Sequence, residues 1–233
     1  MATQRSYAED RFEKVDPAKL LELRRPNYLK GIGLLSLDWI VIAAAIALCS
    51  LYFNPLTYFL TWLIVGGRMM GLWTLLHDGH HHMLLPNRKL NRLLTQLFIA
   101  WPLFNSLKEY DRSHGNHHRY LGSEKDPNVQ MLRYSEFQFP MIRSKFSRIL
   151  ILDLLGVNFI RYFLLKHFVF PVQRMSQGES NLGIEFKAIY ESFSLSKMIY
   201  WVFVLATLNY FGLVQEFVLY WVIPSITWFR MMF

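Results

Sequence analysis

The sequence predicts an all-α integral membrane protein, with about four transmembrane helices, interfacial helices and a histidine-rich region on the cytoplasmic side. Three observations lead there. Apolar residues gather into runs as long as the ~20 residues that cross a bilayer as a helix. Hydrophobic residues make up 53% of the chain and charged residues only 18%, against roughly 25% charged in soluble domains. Seven of the eight histidines fall in two short clusters beside those runs.

Taken in order, residues 1–30 are polar and of mixed charge, punctuated by Pro17 and Pro26. They read as a cytoplasmic tail with a short amphipathic helix near 17–23. No short apolar core precedes a cleavage site, so this is not a secretory signal and the first span would direct insertion. That span covers 31–53, with Asp38 near its start, placed to reach the interface or cap the helix. Asn54 and Pro55 turn the chain into a second span from about 56 to 76, where Arg68 would snorkel or pair with protein. Residues 31–233 are read as one membrane domain.

Flanking charge sets the orientation. The tail carries seven Lys/Arg and residues 84–175 carry fourteen, which the positive-inside rule puts on the cytoplasmic side. The net charge of +8 therefore points to an anionic membrane surface rather than to nucleic acid. Segments 91–100 and 149–170 are apolar enough for interfacial helices, with a short buried hairpin as the alternative; Arg161, Lys166 and His167 disfavour a full span. After a polar loop at 177–181, the chain from Lys197 onward is long enough for two further spans, bent near 209–216 and kinked by Pro224. Cys49, the one cysteine, lies in an apolar run and reads as a small buried hydrophobe. A disulfide or cysteine-based metal site within the chain is excluded.

The chemistry lies in the histidines. His77, His80, His81 and His82 stand in HDGHHH; His114, His117 and His118 stand in HGNHH. Residues three and four apart share a helix face, so His77 and His81 form one row and His114, His117 and His118 another. Neutral imidazole is the commonest metal ligand, and both rows sit on one side of the membrane. Zinc usually takes four ligands; five histidines suit two metals or one octahedral ion. Asp78, Asp111, Glu124 and Asp126 are nearby carboxylates able to orient imidazoles, although Asp126-Pro127-Asn128 also reads as a turn. His80 lies one step off the first row, as a possible orienting group, and His82 faces solvent or headgroups. Trp101, Tyr110 and Tyr120 read as an interfacial aromatic belt.

His77-x3-His81 followed by LLPNRKLN, and His114-x2-His117-His118 followed by RYLGSEKDPN, resemble the membrane fatty acid desaturase superfamily over most of the chain. The resemblance implies a non-haem di-iron oxidoreductase that uses dioxygen as co-substrate to place a double bond in a fatty acyl chain. The two iron ions would be held by His77, His81, His114, His117 and His118. Electrons would come from a cytochrome b5-like protein or a ferredoxin. The host would be a bacterial cytoplasmic membrane or the endoplasmic reticulum. The family also carries a third histidine box after the last spans, and residues 1–233 have none; solitary His167 reads as interfacial or structural. The expectation is a chain incomplete at its C-terminus, inactive or poorly metallated alone. Alternatives stay open: a hydroxylase or ketolase of the same superfamily acting on carotenoid, sterol or alkane, or a degenerate scaffold. A metal transporter would need ligands within the spans, where only Asp38, Arg68 and Glu216 are charged.

Overall fold

Asparagines and prolines set where the long helices begin. In the computed structural model, which describes residues 16–129, 140–164 and 194–228, Asp16 caps α1 (Pro17–Leu23), the short helix expected in the tail. Asn27 accepts hydrogen bonds from the backbone of Leu29 and Lys30 to open α2 (Tyr28–Leu51). Asn54 does the same for α3 (Pro55–His80), while its own N–H is bound by the Thr57 hydroxyl and Pro55 takes the first helical position. Both helices are long and apolar enough to cross a membrane. The second runs past the expected 76 to His80, so the first histidine cluster lies on the helix itself. At 26 residues α3 is about 39 Å long, against about 30 Å of hydrocarbon.

The two helices pack along a seam of buried apolar side chains that includes Leu35, Ile42, Val65, Met69 and Leu72. Asp38 does not reach an interface or cap a helix end. It is buried in the middle of α2 and pairs with Arg68 at 3.1 Å, because a carboxylate at that depth needs a cation and α3 supplies one. The alternative foreseen for Arg68, pairing within the protein, is what occurs.

Beyond α3, α4 (Arg88–Thr95) passes into a π-helical stretch, Gln96–Ala100, and then α5 (Leu107–Tyr120) carries the second histidine cluster. Segment 149–164 is no single span. It is divided between α6 (Arg143–Leu154) and α7 (Val157–Leu164) at Gly156, whose φ of 71° suits glycine. Lys166 and His167 lie outside the described residues. Helix α8 (Leu195–Tyr210) has 16 residues, short of a full crossing, and none of them is buried. After a bend at Gly212 come α9 (Val214–Phe217), a second π stretch (Val218–Val222) and α10 (Ile223–Thr227). Among the described residues all regular structure is helical, and two helices are of membrane-crossing length.

Both π stretches end two residues before a proline. Pro102 and Pro224 have no N–H, so the carbonyls of Phe98 and Tyr220 lose the usual helical donor. Trp39 Nε1 donates to the freed Phe98 carbonyl at 3.0 Å. Trp221, in the second π stretch, donates to the Pro102 carbonyl at 2.9 Å and stacks on Trp39 with centroids 5.3 Å apart. Two tryptophans thereby join three segments far apart in sequence. Pro224 shifts the helix register rather than kinking a simple α-helix as expected.

The turn after α3 is fixed by buried Asn91. Its side chain donates to the Gly79 carbonyl at 2.6 Å and accepts from the Leu85 N–H at 3.0 Å. Gly79 allows α4 this close: a Cβ there would collide with the Thr95 side chain. We expect Asn91→Leu, which strands the buried Leu85 N–H and leaves the Gly79 carbonyl with the His82 N–H alone, to lower stability by about 1–3 kcal/mol. Reversible unfolding in mixed micelles should show it; an unchanged midpoint would contradict this account of the turn.

Candidate metal centre

The last two turns of α3 project His77 from one face, and His81 caps the helix end on the same side. On α5, His114 and His118 are four residues apart and face them. One ligand atom from each of these four histidines lies within 4.8 Å of every other. His114 is central: its Nε2 is 3.2 Å from His81 Nε2 and 3.0 Å from His118 Nε2. A neutral imidazole has one N–H, so the three nitrogens cannot all be satisfied by donating to one another. A shared cation satisfies all three lone pairs. Nitrogens bound ~2.0–2.1 Å from one ion are separated by ~2.8–3.4 Å in tetrahedral or cis-octahedral geometry, which matches the two spacings at His114. The donor set fits a divalent transition metal.

His117 lies beside these four and not among them. Its Nδ1 donates to Asp126 at 2.9 Å, a carboxylate only 1% exposed that also accepts the Gly122 and Asn128 N–H groups at 2.9 Å each. This is the carboxylate–histidine pattern that fixes a ligating imidazole's tautomer and leaves Nε2 with its lone pair. His80 is also held by a carboxylate, its Nδ1 2.6 Å from Asp111 Oδ1, but it is not one of the four whose ligand atoms converge. Asp78 stands 3.6 Å from His77 Nδ1, too far for a direct hydrogen bond.

Two side chains at the site, Tyr110 and Arg92, escaped the sequence reading, while both readings given for Asp126, turn and orienting carboxylate, hold. Tyr110, assigned to an aromatic belt, is a wall of the site: its ring stacks on His114 at 5.2 Å and meets His80 and Trp73 edge-on. The signal was its spacing, one turn before His114. Asp126 does sit in the expected turn, its N–H bonded to the Ser123 carbonyl, yet its carboxylate turns back to His117. Arg92 donates to Asp111 from α4, which no local spacing reveals. His82, expected to face solvent or headgroups, has a buried Nδ1 without a hydrogen-bond partner among the described residues. Its φ is 58° because it takes the left-handed position that ends α3.

Electrostatics favour the ligating form. Burial pushes the His114 pKa down to about 4, helped by repulsion from His77, His118, His80 and His81. His81 is lowered for the same reasons, with Asp78 opposing. Burial alone would raise Asp126, but the hydrogen bonds from His117, Gly122 and Asn128 outweigh it and hold the carboxyl down to about 2.

Two helices of membrane-crossing length and a four-imidazole cluster able to hold a metal at the end of one define the class of scaffold. Sequence comparison makes it specific. The fatty acid desaturase family model matches residues 53–233, and the chain belongs to that family. A dihydrorhizobitoxine desaturase from Bradyrhizobium elkanii is 28% identical over 232 residues, which is 97% of this chain. The chain spans 63% of that relative's length. No solved structure matches.

His114 gives a direct pH test on the metal-free protein. Its folded pKa lies below the ordinary value of 6.5, so the unfolded chain binds more protons between those limits and folded stability falls as pH drops from about 6.5 to about 4. Histidine-selective NMR should show one ring titrating near pH 4, absent in His114→Ala. Normal titration of that ring would refute the buried, crowded cluster.

Proposed function

We propose that this chain is the histidine-cluster core of a membrane-bound, iron-dependent oxidoreductase that places a double bond in a lipid acyl chain. The observation that carries the reading is the meeting of His77, His81, His114 and His118 at the end of a helix long enough to cross a bilayer. Family membership supports the reaction class. The relative's name, a desaturase, points the same way.

His77, His81, His114 and His118 would hold iron, with His117 offered by Asp126 as the next imidazole. Bound iron would supply the activation of dioxygen that unactivated C–H bonds require and no side chain provides. Loss of two hydrogens from the chain, with two electrons and two protons from outside, balances reduction of dioxygen to two waters. A cytochrome b5-like protein or a ferredoxin would deliver those electrons. The role of the protein residues is positional. Neutral His114 and His81 keep lone pairs available at physiological pH, and Tyr110 and Trp73 close one side of the cluster against water. A helix longer than the hydrocarbon is thick would let α3 present the cluster where an acyl chain can leave the lipid and reach it. The positive charge of the tail and of the histidine region supports the cytoplasm as that side.

The test is iron per chain together with product mass. Protein purified in detergent should carry iron, and His114→Ala should lose most of it. With a reductant and dioxygen, an acyl substrate should lose two hydrogens, and activity in His114→Ala should fall at least ~100-fold. Gain of one oxygen would assign hydroxylation instead. Absence of iron from wild-type protein supplied with ferrous ion would overturn the metal-centre reading.

A further inference from the structure

Helix α5 carries half of the imidazole cluster, yet Leu107 is its only buried residue. Its His114 Nε2 also lies 3.2 Å from His81 Nε2 at the end of α3 and 3.0 Å from His118 Nε2 on α5 itself, an arrangement that metal-free imidazoles resist because the three nitrogens cannot all be paired with one another. Something other than apolar burial must hold the two rows together before metal arrives.

The structure offers a specific device. The Asp111 carboxylate on α5 is bound at both oxygens, each by a different helix. His80 Nδ1 on α3 lies 2.6 Å from Oδ1, and Arg92 Nη2 on α4 donates to Oδ2 at 2.9 Å. The His80 side chain is only 15% exposed, so the contact is shielded from competing water. Its ring lies edge-on to His81 and His114, at 4.7 and 5.1 Å, although His80 is not one of the four histidines whose ligand atoms converge.

We propose that Arg92, Asp111 and His80 form a clasp that sets the two histidine rows in register without metal, with His80 a positioning residue and not a ligand. The clasp deepens the metal-centre reading and rests on it. Each part follows from chemistry on the page. A carboxylate has two acceptor edges and can bind two helices at once. The guanidinium fixes its orientation and keeps it charged. An imidazole one step off the ligand row can donate to it while its neighbours point inward.

The experiment compares Asp111→Ala, His80→Phe, His80→Asn and Arg92→Gln in the whole chain in detergent. Anaerobic ferrous-ion affinity and the melting temperature of the metal-free protein are measured for each. The asparagine amide nitrogen takes the place of imidazole Nδ1 and can still donate to Asp111. Asp111→Ala and His80→Phe should weaken iron binding ~10–100-fold, the usual cost of losing an orienting partner, and should lower metal-free melting. His80→Asn should keep both near wild type, Arg92→Gln should fall between, and iron per chain at saturation should be unchanged throughout. If Asp111→Ala fails to fold, Arg92→Gln carries the comparison. Wild-type affinity and melting in His80→Phe and in Asp111→Ala or Arg92→Gln would overturn the clasp. So would equal loss of iron in His80→Asn and His80→Phe with fewer irons per chain, which makes His80 a ligand. If wild type binds no iron, the proposed function fails, and the metal-free melting order still decides the clasp.

Discussion

A helix of 26 residues is about 39 Å long, and the hydrocarbon of a bilayer is about 30 Å thick. The difference, roughly a turn and a half, equals in length the last stretch of α3, which holds His77 and His80 and ends at His81. Because the helix continues unbroken into that stretch, the histidines keep helical spacing and a fixed direction. A helix ending at residue 76 would have left them on a loop, and the row could not form. The polar ends of the cluster and the apolar body of the helix are thus one rigid piece.

What α3 projects, the following segments must meet. Asn91 ties the Gly79 carbonyl to the Leu85 N–H, so the chain reverses tightly and α4 lies against the end of α3. Pro102 then ends the regular helix, and Trp39 and Trp221 use carbonyls on either side of that break to hold the segment against α2 and the second π stretch. With that platform fixed, α5 returns along the end of α3. Residues separated by more than thirty positions become neighbours around His114. The same closeness makes His114 hard to protonate, since burial and four nearby imidazoles act in one direction.

Much of this was legible in the sequence because it is local. Apolar runs marked α2 and α3, Asn-Pro marked their turn, and spacing of three and four put the histidines in rows. Each of these follows from residues within a few helical turns of one another. The same reasoning failed where partners are remote. Asp38 looked like an interfacial or capping residue until α3 brought Arg68 beside it. Tyr110 looked like membrane-belt tyrosine until α5 turned its ring onto His114.

The sequence by itself determined the helical class, the two long apolar helices, the two histidine rows and the family resemblance, since composition and short-range periodicity are enough for all four. Only the tertiary structure decided which imidazoles meet. It grouped His77 and His81 with His114 and His118, gave His117 to Asp126 and His80 to Asp111, and brought Arg92 to the other oxygen of Asp111. The physical reason is that helical spacing sets the direction of a side chain about its own axis. What that side chain touches depends on how a second helix is turned and docked, and that is settled by distant prolines, indoles and one buried asparagine.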